Sequence, residues 1–317
     1  MKKMLDTHHT TVAKGIFWAF ASSAMFGIST TVLQFVSQGE SIPAPWFLSV
    51  RTLFAGIILL AISIGLYGKH IFDVFTTLRG VISLVAYAVL GLGANLLTFY
   101  LSVQDGNSAM SAILQYLAPL FVVIGMIVFQ HKRPLWSDLL VFVIAMVGVT
   151  FALTKGDFSK LSIPMVSLLW GIGSGLTQAL YIVLPKPLVK RHYPPILILG
   201  WGALIAGILF NLNRPVWVGV PKINEALILS VGCMILIGTV IPFLIVLHSS
   251  KFASSEVISL VDATEPIVTF ILSIIFFSLK VNLIEIIGAL MVIVAIALLQ
   301  IFHGGLEKKR RRQNAES

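Results

Sequence analysis

Residues 254–277 read SSEVISLVDATEPIVTFILSIIFF. The run is long enough to cross a bilayer as a helix, for which about 20 mostly apolar residues suffice. It lacks the polar/apolar alternation over about ten residues that a transmembrane strand shows. Inside it stand Asp262 and Glu265. An ionisable group at the centre of a spanning helix costs about 2.5–3.5 kcal/mol on insertion scales, so each is a candidate for function. Glu265 lies about eleven residues into the span, near the midplane. Asp262 precedes it by three, which puts both on one face about 4.5 Å apart along the axis. Two carboxylates that close, away from water, cannot easily both be charged. One of them can then exchange a proton, as a proton-coupled carrier requires. The alternative is that Glu265 stays protonated, or bonded to a neighbouring helix, and never changes state. Pro266 frees a carbonyl about one turn upstream, near Asp262, and a freed carbonyl lining a cavity can take a substrate donor.

The rest of the chain has the same character. Of its 317 residues 57% are hydrophobic and 11% charged, against about 25% charged in a soluble domain. Ten apolar segments fall near 15–37, 46–67, 80–101, 108–129, 135–154, 163–185, 194–211, 226–248, 254–277 and 283–302. They predict an all-α integral membrane protein with a tail at 1–14 and a basic tail at 303–317. The first apolar run is too long, and too poor in small residues at its end, for a cleaved signal. Cys233 is the single cysteine, which excludes an intrachain disulfide and speaks against a cysteine-ligated metal. No cofactor motif is present.

With the N-terminus in the cytoplasm, 16 Lys and Arg fall in cytoplasmic segments and five (Lys155, Lys160, Arg214, Lys222, Lys280) on the other side. By the positive-inside rule both termini are then cytoplasmic. The net charge of +9 therefore reads as an orientation signal and gives no reason to expect a nucleic-acid partner. The tail EKKRRRQ (307–313) either meets anionic lipid headgroups or simply anchors the topology.

The opening stretch has a counterpart. Shifted by 147, residues 81–149 lie over 228–296 without a gap, pairing Gly91 with Gly238, Ser102 with Ser249, Ser108 with Ser255 and Pro119 with Pro266. WAFASSAMFG (18–27) lies over WGIGSGLTQA (170–179) at an offset of 152, and LFAGIIL (53–59) over LIAGILF (204–210) at 151. The chain thus divides into five-helix halves, 15–154 and 163–302. Five is odd, so the second half enters from the opposite side, and an inverted repeat places a shared site near the midplane.

Further polar groups lie within the spans. Arg51, about five residues into its helix, either holds a substrate carboxylate, neutralises Glu265 or Asp262, or snorkels to the interface. Asn95, Gln115, Tyr116, Gln178 and Tyr181 either line a hydrated cavity or tie helices together. Gln115 stands opposite Asp262 in the repeat. Trp18 and Trp170, equivalent by the repeat, fit helix packing better than ligand stacking, and Trp46, Trp136 and Trp217 fall near span ends as interfacial anchors. His248, at a helix end, is expected to be hydrated. Signatures of zinc or serine hydrolysis in the membrane are absent, as is any P-loop.

The chain resembles the EamA type of the drug/metabolite transporter superfamily over roughly 15–302. The residues that carry the resemblance are Arg51 in FLSVRTLFAGIILL (47–60), SAMSAILQYLAPLFVVIGMIVFQ (108–130), the Glu-Pro pair of the opening stretch, and the glycine of IEIIGALMVIVAIAL (284–298). Here Arg51 has Gly202 as its counterpart, Glu265 has Ala118, and Gln130 or its neighbour stands where many relatives carry Glu. The resemblance implies a ten-helix carrier in the inner or plasma membrane, often an exporter of amino acids or other metabolites. It also implies a central cavity, with helices five and ten peripheral. The expectation is a secondary carrier of a small polar molecule in the lipid bilayer, working by alternating access. Two branches stay open, proton coupling or facilitated diffusion, with a non-transporting sensor or scaffold as the rival of another class. Substrate, direction and oligomeric state are not legible.

Overall fold

Each apolar run folds as a helix because in hydrocarbon every backbone N–H and C=O must be satisfied within its own segment. The computed structural model describes residues 2–131, 135–157 and 160–316, with side chains at 12–129, 131, 135–157, 160–254 and 257–302. Among these, ten helices are long and apolar enough to cross a membrane: α1 Val12–Gly39, α2 Ala44–Phe75, α3 Leu78–Asp105, α4 Ser108–Phe129, α5 Trp136–Thr154, α6 Met165–Lys190, α7 Pro195–Asn213, α8 Glu225–Ser249, α9 Val257–Phe277 and α10 Leu283–Phe302. The side chains of the basic tail and of Gln130 lie outside the described residues.

Helix α2 outruns its apolar segment. After Gly68 it continues as a tighter 3-10 turn, Gly68–Phe75, whose Ile71 and Val74 are buried. The indole of Trp201 on α7 donates to the Ile71 carbonyl at 2.9 Å. Polar Lys69 and His70 hide this extension from a hydropathy count. Trp46 is likewise not an exposed anchor: it is buried and donates to Val216 O at 2.9 Å, tying α2 to the α7–α8 connection. Trp136 and Trp217 are exposed at their span ends.

The irregularities fall in matching places. Helix α3 widens to a π-helix at Tyr87–Gly93 and α8 at Leu236–Val240; a shift of 147 lays 236–240 over 89–93. Helix α4 breaks at Tyr116–Leu117 and α9 at Ala263, again 147 apart, each three residues before a proline.

Packing follows the same exchange. Helix α2 packs on α7 and α5 on α10; α3 packs on α6 as α8 does on α1, and α4 on α6 as α9 does on α1. Individual contacts come in exchanged pairs. A Cβ on Gly56 would stand 2.6 Å from Leu204 N, and one on Gly207 would stand 2.7 Å from Leu53 N. Ser102 Oγ donates to Ser167 O at 3.1 Å and Ser249 Oγ to Gly15 O at 2.8 Å. Asn95 Nδ2 donates to Ser174 O at 3.2 Å and Ser22 Oγ to Pro242 O at 2.9 Å.

Small residues let membrane helices approach to backbone contact, where dispersion and not water exclusion holds them. At the α2–α7 crossing the nearest obstructing atom to an added methyl is a backbone nitrogen on each side, which no side-chain movement clears. Gly207→Ala is expected to lower stability in detergent by about 1–3 kcal/mol, the usual cost of overpacking, read as a drop in melting temperature.

The α5–α10 pair packs beside α4. Gly148 and Gly288 bring the backbones together, and the Lys155 ammonium sits 2.9 Å from the carboxylate of Glu285, which is 1% exposed. Asn282 caps the start of α10 by accepting from Glu285 N at 2.8 Å. Lys155 is partly solvated, so the pair lies between exposed and buried classes. Glu285→Ala is expected to cost about 1–2 kcal/mol of stability without changing transport, checked by thermal unfolding beside a flux assay.

Candidate functional site

Eight helices, α1 to α4 and α6 to α9, together with Gln300 of α10, surround a cavity of about 480 Å³, within the size range of small-molecule sites. Arg51, Asn95, Gln115, Tyr116, Gln178, Tyr181, Asp262 and Glu265 all line it. Trp18 and Trp170 do not. Trp18 packs edge-on against His248 with ring centroids 5.5 Å apart, and Trp170 is 36% exposed on the outer surface of α6. His248 also meets Phe252 at 5.1 Å, so its ring is engaged in aromatic contacts.

Arg51 neither snorkels nor pairs with a carboxylate. It is buried; Nη2 donates to Gly238 O at 3.0 Å, and both Nε (3.3 Å) and Nη2 (3.2 Å) donate to Thr239 Oγ1. The Gly238 carbonyl is open to this donor because the residue four on is Pro242, which has no N–H to give it. Gly238 supplies the room, since a Cβ there would collide with Ser29 Oγ. Thr239 gives its own proton to Met234 O at 3.2 Å, so its oxygen is free to accept from the guanidinium. One edge of Arg51 is therefore held by uncharged acceptors. Among the described residues Nη1 has no hydrogen-bond partner and no carboxylate lies within ion-pair reach.

Asp262 and Glu265 flank the break at Ala263. Among the described residues neither carboxylate accepts a hydrogen bond or pairs with a cation; both open onto the cavity. The carbonyl that Pro266 frees, Asp262 O, accepts from Ser23 Oγ at 3.3 Å, and Thr264 Oγ1 donates to Ser23 Oγ at 2.9 Å. That carbonyl thus fastens α9 to α1 instead of facing a ligand. Gly27 completes the contact: a Cβ there would lie 2.8 Å from Val268 and 3.1 Å from Glu265 O.

The opposite wall is neutral. Gln115 Nε2 donates to Asn95 Oδ1 at 3.4 Å, and Tyr181 lies against Tyr87 with ring centroids 5.5 Å apart. Tyr87 occupies the space beside Gly202, where a Cβ would come within 2.6 Å of its ring. Gly202 of α7 with the Tyr87 ring of α3 thus fills the place that Arg51 of α2 with its partners on α8 fills at the repeat-related position. Tyr116 Oη and Gln300 Oε1 are buried, and among the described residues neither makes a hydrogen bond of good geometry.

Thr30, Thr239 and Gln300 also line the cavity and were not singled out from sequence. A helical Ser or Thr can satisfy itself on the carbonyl four residues back, so hydroxyls carry no pattern that separates a cavity from packing. Gln300 had a signal, a lone amide in an otherwise apolar run. The implied peripheral place of α10 argued against it, yet its side chain reaches the cavity.

A model of the EamA-like transporter family matches residues 13–154 and 165–301. An "Uncharacterized inner membrane transporter YicL" of Salmonella typhimurium (strain LT2) is 25% identical over 305 residues, covering 95% of this chain and 98% of that protein. An "Uncharacterized transporter" of Archaeoglobus fulgidus is 24% identical over 279 residues, covering 79% of this chain and 97% of its own length. A solved structure described only as "Crystal structure of protein" superposes with a TM-score of 0.60 at 14% identity, covering 94% of this chain and 99% of that one; it speaks for the fold alone. Matched over 13–154 and 165–301, with ten helices among the described residues long and apolar enough to cross a membrane, the chain belongs to the EamA-like transporter family of the drug/metabolite transporter superfamily.

Proposed function

We propose that the chain is a proton-coupled secondary carrier that exports a small polar metabolite, such as an amino acid or a related compound. It works by alternating access between two inverted five-helix repeats, 15–154 and 163–302. The observation that carries this reading is one cavity lined by a guanidinium and two carboxylates that do not pair with one another. Charges in a dry site are costly unless they have partners. Arg51 would hold a substrate carboxylate on its free edge, and Asp262 and Glu265 would bind a substrate ammonium or a proton. The exchanged contacts at Gly56/Gly207, Ser102/Ser249 and Asn95/Ser22 support a two-fold relation between the halves. With 16 of 22 basic residues on the side of both termini, the orientation is cytoplasmic for each, in a bacterial-type inner or plasma membrane. Facilitated diffusion without protons is the rival within the class.

The test is metabolite-profiled efflux from cells expressing the wild type or Arg51→Ala. One or a few carboxylate-bearing solutes should appear outside only with the wild type. Identical profiles would remove the carrier reading as drawn.

A further inference from the structure

The cavity is shut at one end by a cluster that the transport reading does not use. On the membrane face carrying Gly39 and Asp105, Gln34 Oε1 accepts from Ser108 N at 2.8 Å and Ser108 Oγ at 2.6 Å, and Ser108 Oγ meets Ser273 Oγ at 2.8 Å. Four residues on, Gln38 Nε2 donates to Val103 O, Gln104 O and Gly106 O at 2.8, 3.2 and 2.8 Å, and Gln34 Nε2 donates to Gln38 Oε1 at 3.1 Å. The end of α1 is thereby fastened to the end of α3, the start of α4 and the end of α9. Backbone packing agrees. The first part of α4, Ser108–Gln115, packs closely on the last part of α9, Thr264–Phe277, whereas among the described residues Ala118–Gln130 and Ser255–Asp262 make no comparable contact. The helices splay toward the face carrying Lys190 and Ser249, where Val246 and Ser259 line the cavity.

The repeat supplies the other half of the device. At the offset of 152 that lays α1 on α6, Gln34 and Gln38 fall on Lys186 and Lys190, and at 147 the three carbonyl positions fall on Ser250, Lys251 and Ala253. Lys186 and Lys190 are exposed here and donate to no described group. A lysine has donors and no acceptor, so Lys190 can repeat what Gln38 Nε2 does and cap the carbonyls just past the end of α8, where a helix C-terminus favours a cation. Lys186 cannot repeat the acceptor role of Gln34.

Resting on the alternating-access reading above, we infer that Gln34, Gln38, Ser108 and Ser273 form the latch closing the Gly39 face, and that Lys190 closes the opposite face when this latch opens. The two gates then differ in chemistry, a neutral amide–hydroxyl cluster against a single cationic cap.

Labelling tests this without any substrate. In a Cys233→Ser background, Thr30→Cys places a near-isosteric reporter on the cavity wall. A membrane-impermeant maleimide is added to right-side-out and inside-out vesicles. The parent should label from the Lys190 face and resist from the Gly39 face. Gln38→Ala should raise Gly39-face labelling at least about fivefold, the bias that one hydrogen bond gives a two-state equilibrium. Adding Lys190→Ala should bring it back toward the parent. Unchanged labelling in Gln38→Ala, or a double variant as fast as Gln38→Ala, overturns the inference. Ser273→Ala, which loosens the cluster without touching Gln38, takes its place if Gln38→Ala fails to insert. Shifted labelling without solute flux leaves the latch standing and removes the carrier reading; flux without shifted labelling does the reverse.

Discussion

Arg51→Ala is expected to abolish transport of a carboxylate-bearing substrate, lowering kcat/KM by about a hundredfold or more. Charge-assisted hydrogen bonds contribute about 1.5–3 kcal/mol each, and a planar guanidinium offers them in pairs. Among the cavity-lining residues Arg51 is the single Lys or Arg, so no neighbour substitutes for it. Folding should survive, since the groups left behind, Gly238 O and Thr239 Oγ1, are neutral and belong to residues that line the cavity. Arg51→Lys sharpens the test, because it keeps the charge and loses the fork that grips Gly238 and Thr239 while facing the cavity. Lysine should restore little of the rate. Normal flux in Arg51→Ala would make Arg51 a tie between α2 and α8 and nothing more.

Glu265→Gln is expected to uncouple transport from the pH gradient. The substitution keeps shape and polarity and removes the proton site. A carrier exchanging one proton per neutral substrate can accumulate it about tenfold per pH unit, and the variant should hold the ratio near one while solute exchange continues. Asp262→Asn is expected to show a weaker form of the same loss. Its backbone carbonyl is already committed to Ser23, so replacing the side chain leaves the α1–α9 contact in place. Measuring accumulation against imposed pH gradients in proteoliposomes decides both variants.

Much of this architecture was legible because the bilayer simplifies the code. Uninterrupted apolar length fixes a helix, and pairs such as Gly91/Gly238 and Pro119/Pro266 are what point to two halves. An isolated ionisable group in a span carries a cost that packing alone does not explain, which is why Arg51, Asp262 and Glu265 stood out and why all three line the cavity. Geometry set by tertiary contact was not legible. Pro242 leaves Gly238 O without its helical donor, but that Arg51 of α2 fills the gap depends on which helices pack together. Ile71 and Val74 are buried within a segment that reads as polar, because α7 covers them. Trp46 and Trp136 occupy similar places in the sequence pattern, yet one is buried on a carbonyl and the other exposed. The gate at Gln34 was invisible for a different reason: an amide near a helix end is ordinary until the cluster that joins it, through Ser108 and Gln38, to three other helices is known.

The central claim, that substrate and proton share this cavity, is tested most directly by loading proteoliposomes with a pH-sensitive dye and imposing only a gradient of the transported solute. Proton movement opposite in direction to the solute should appear with the wild type and vanish with Glu265→Gln. Solute flux in the wild type with no change of internal pH would contradict the account.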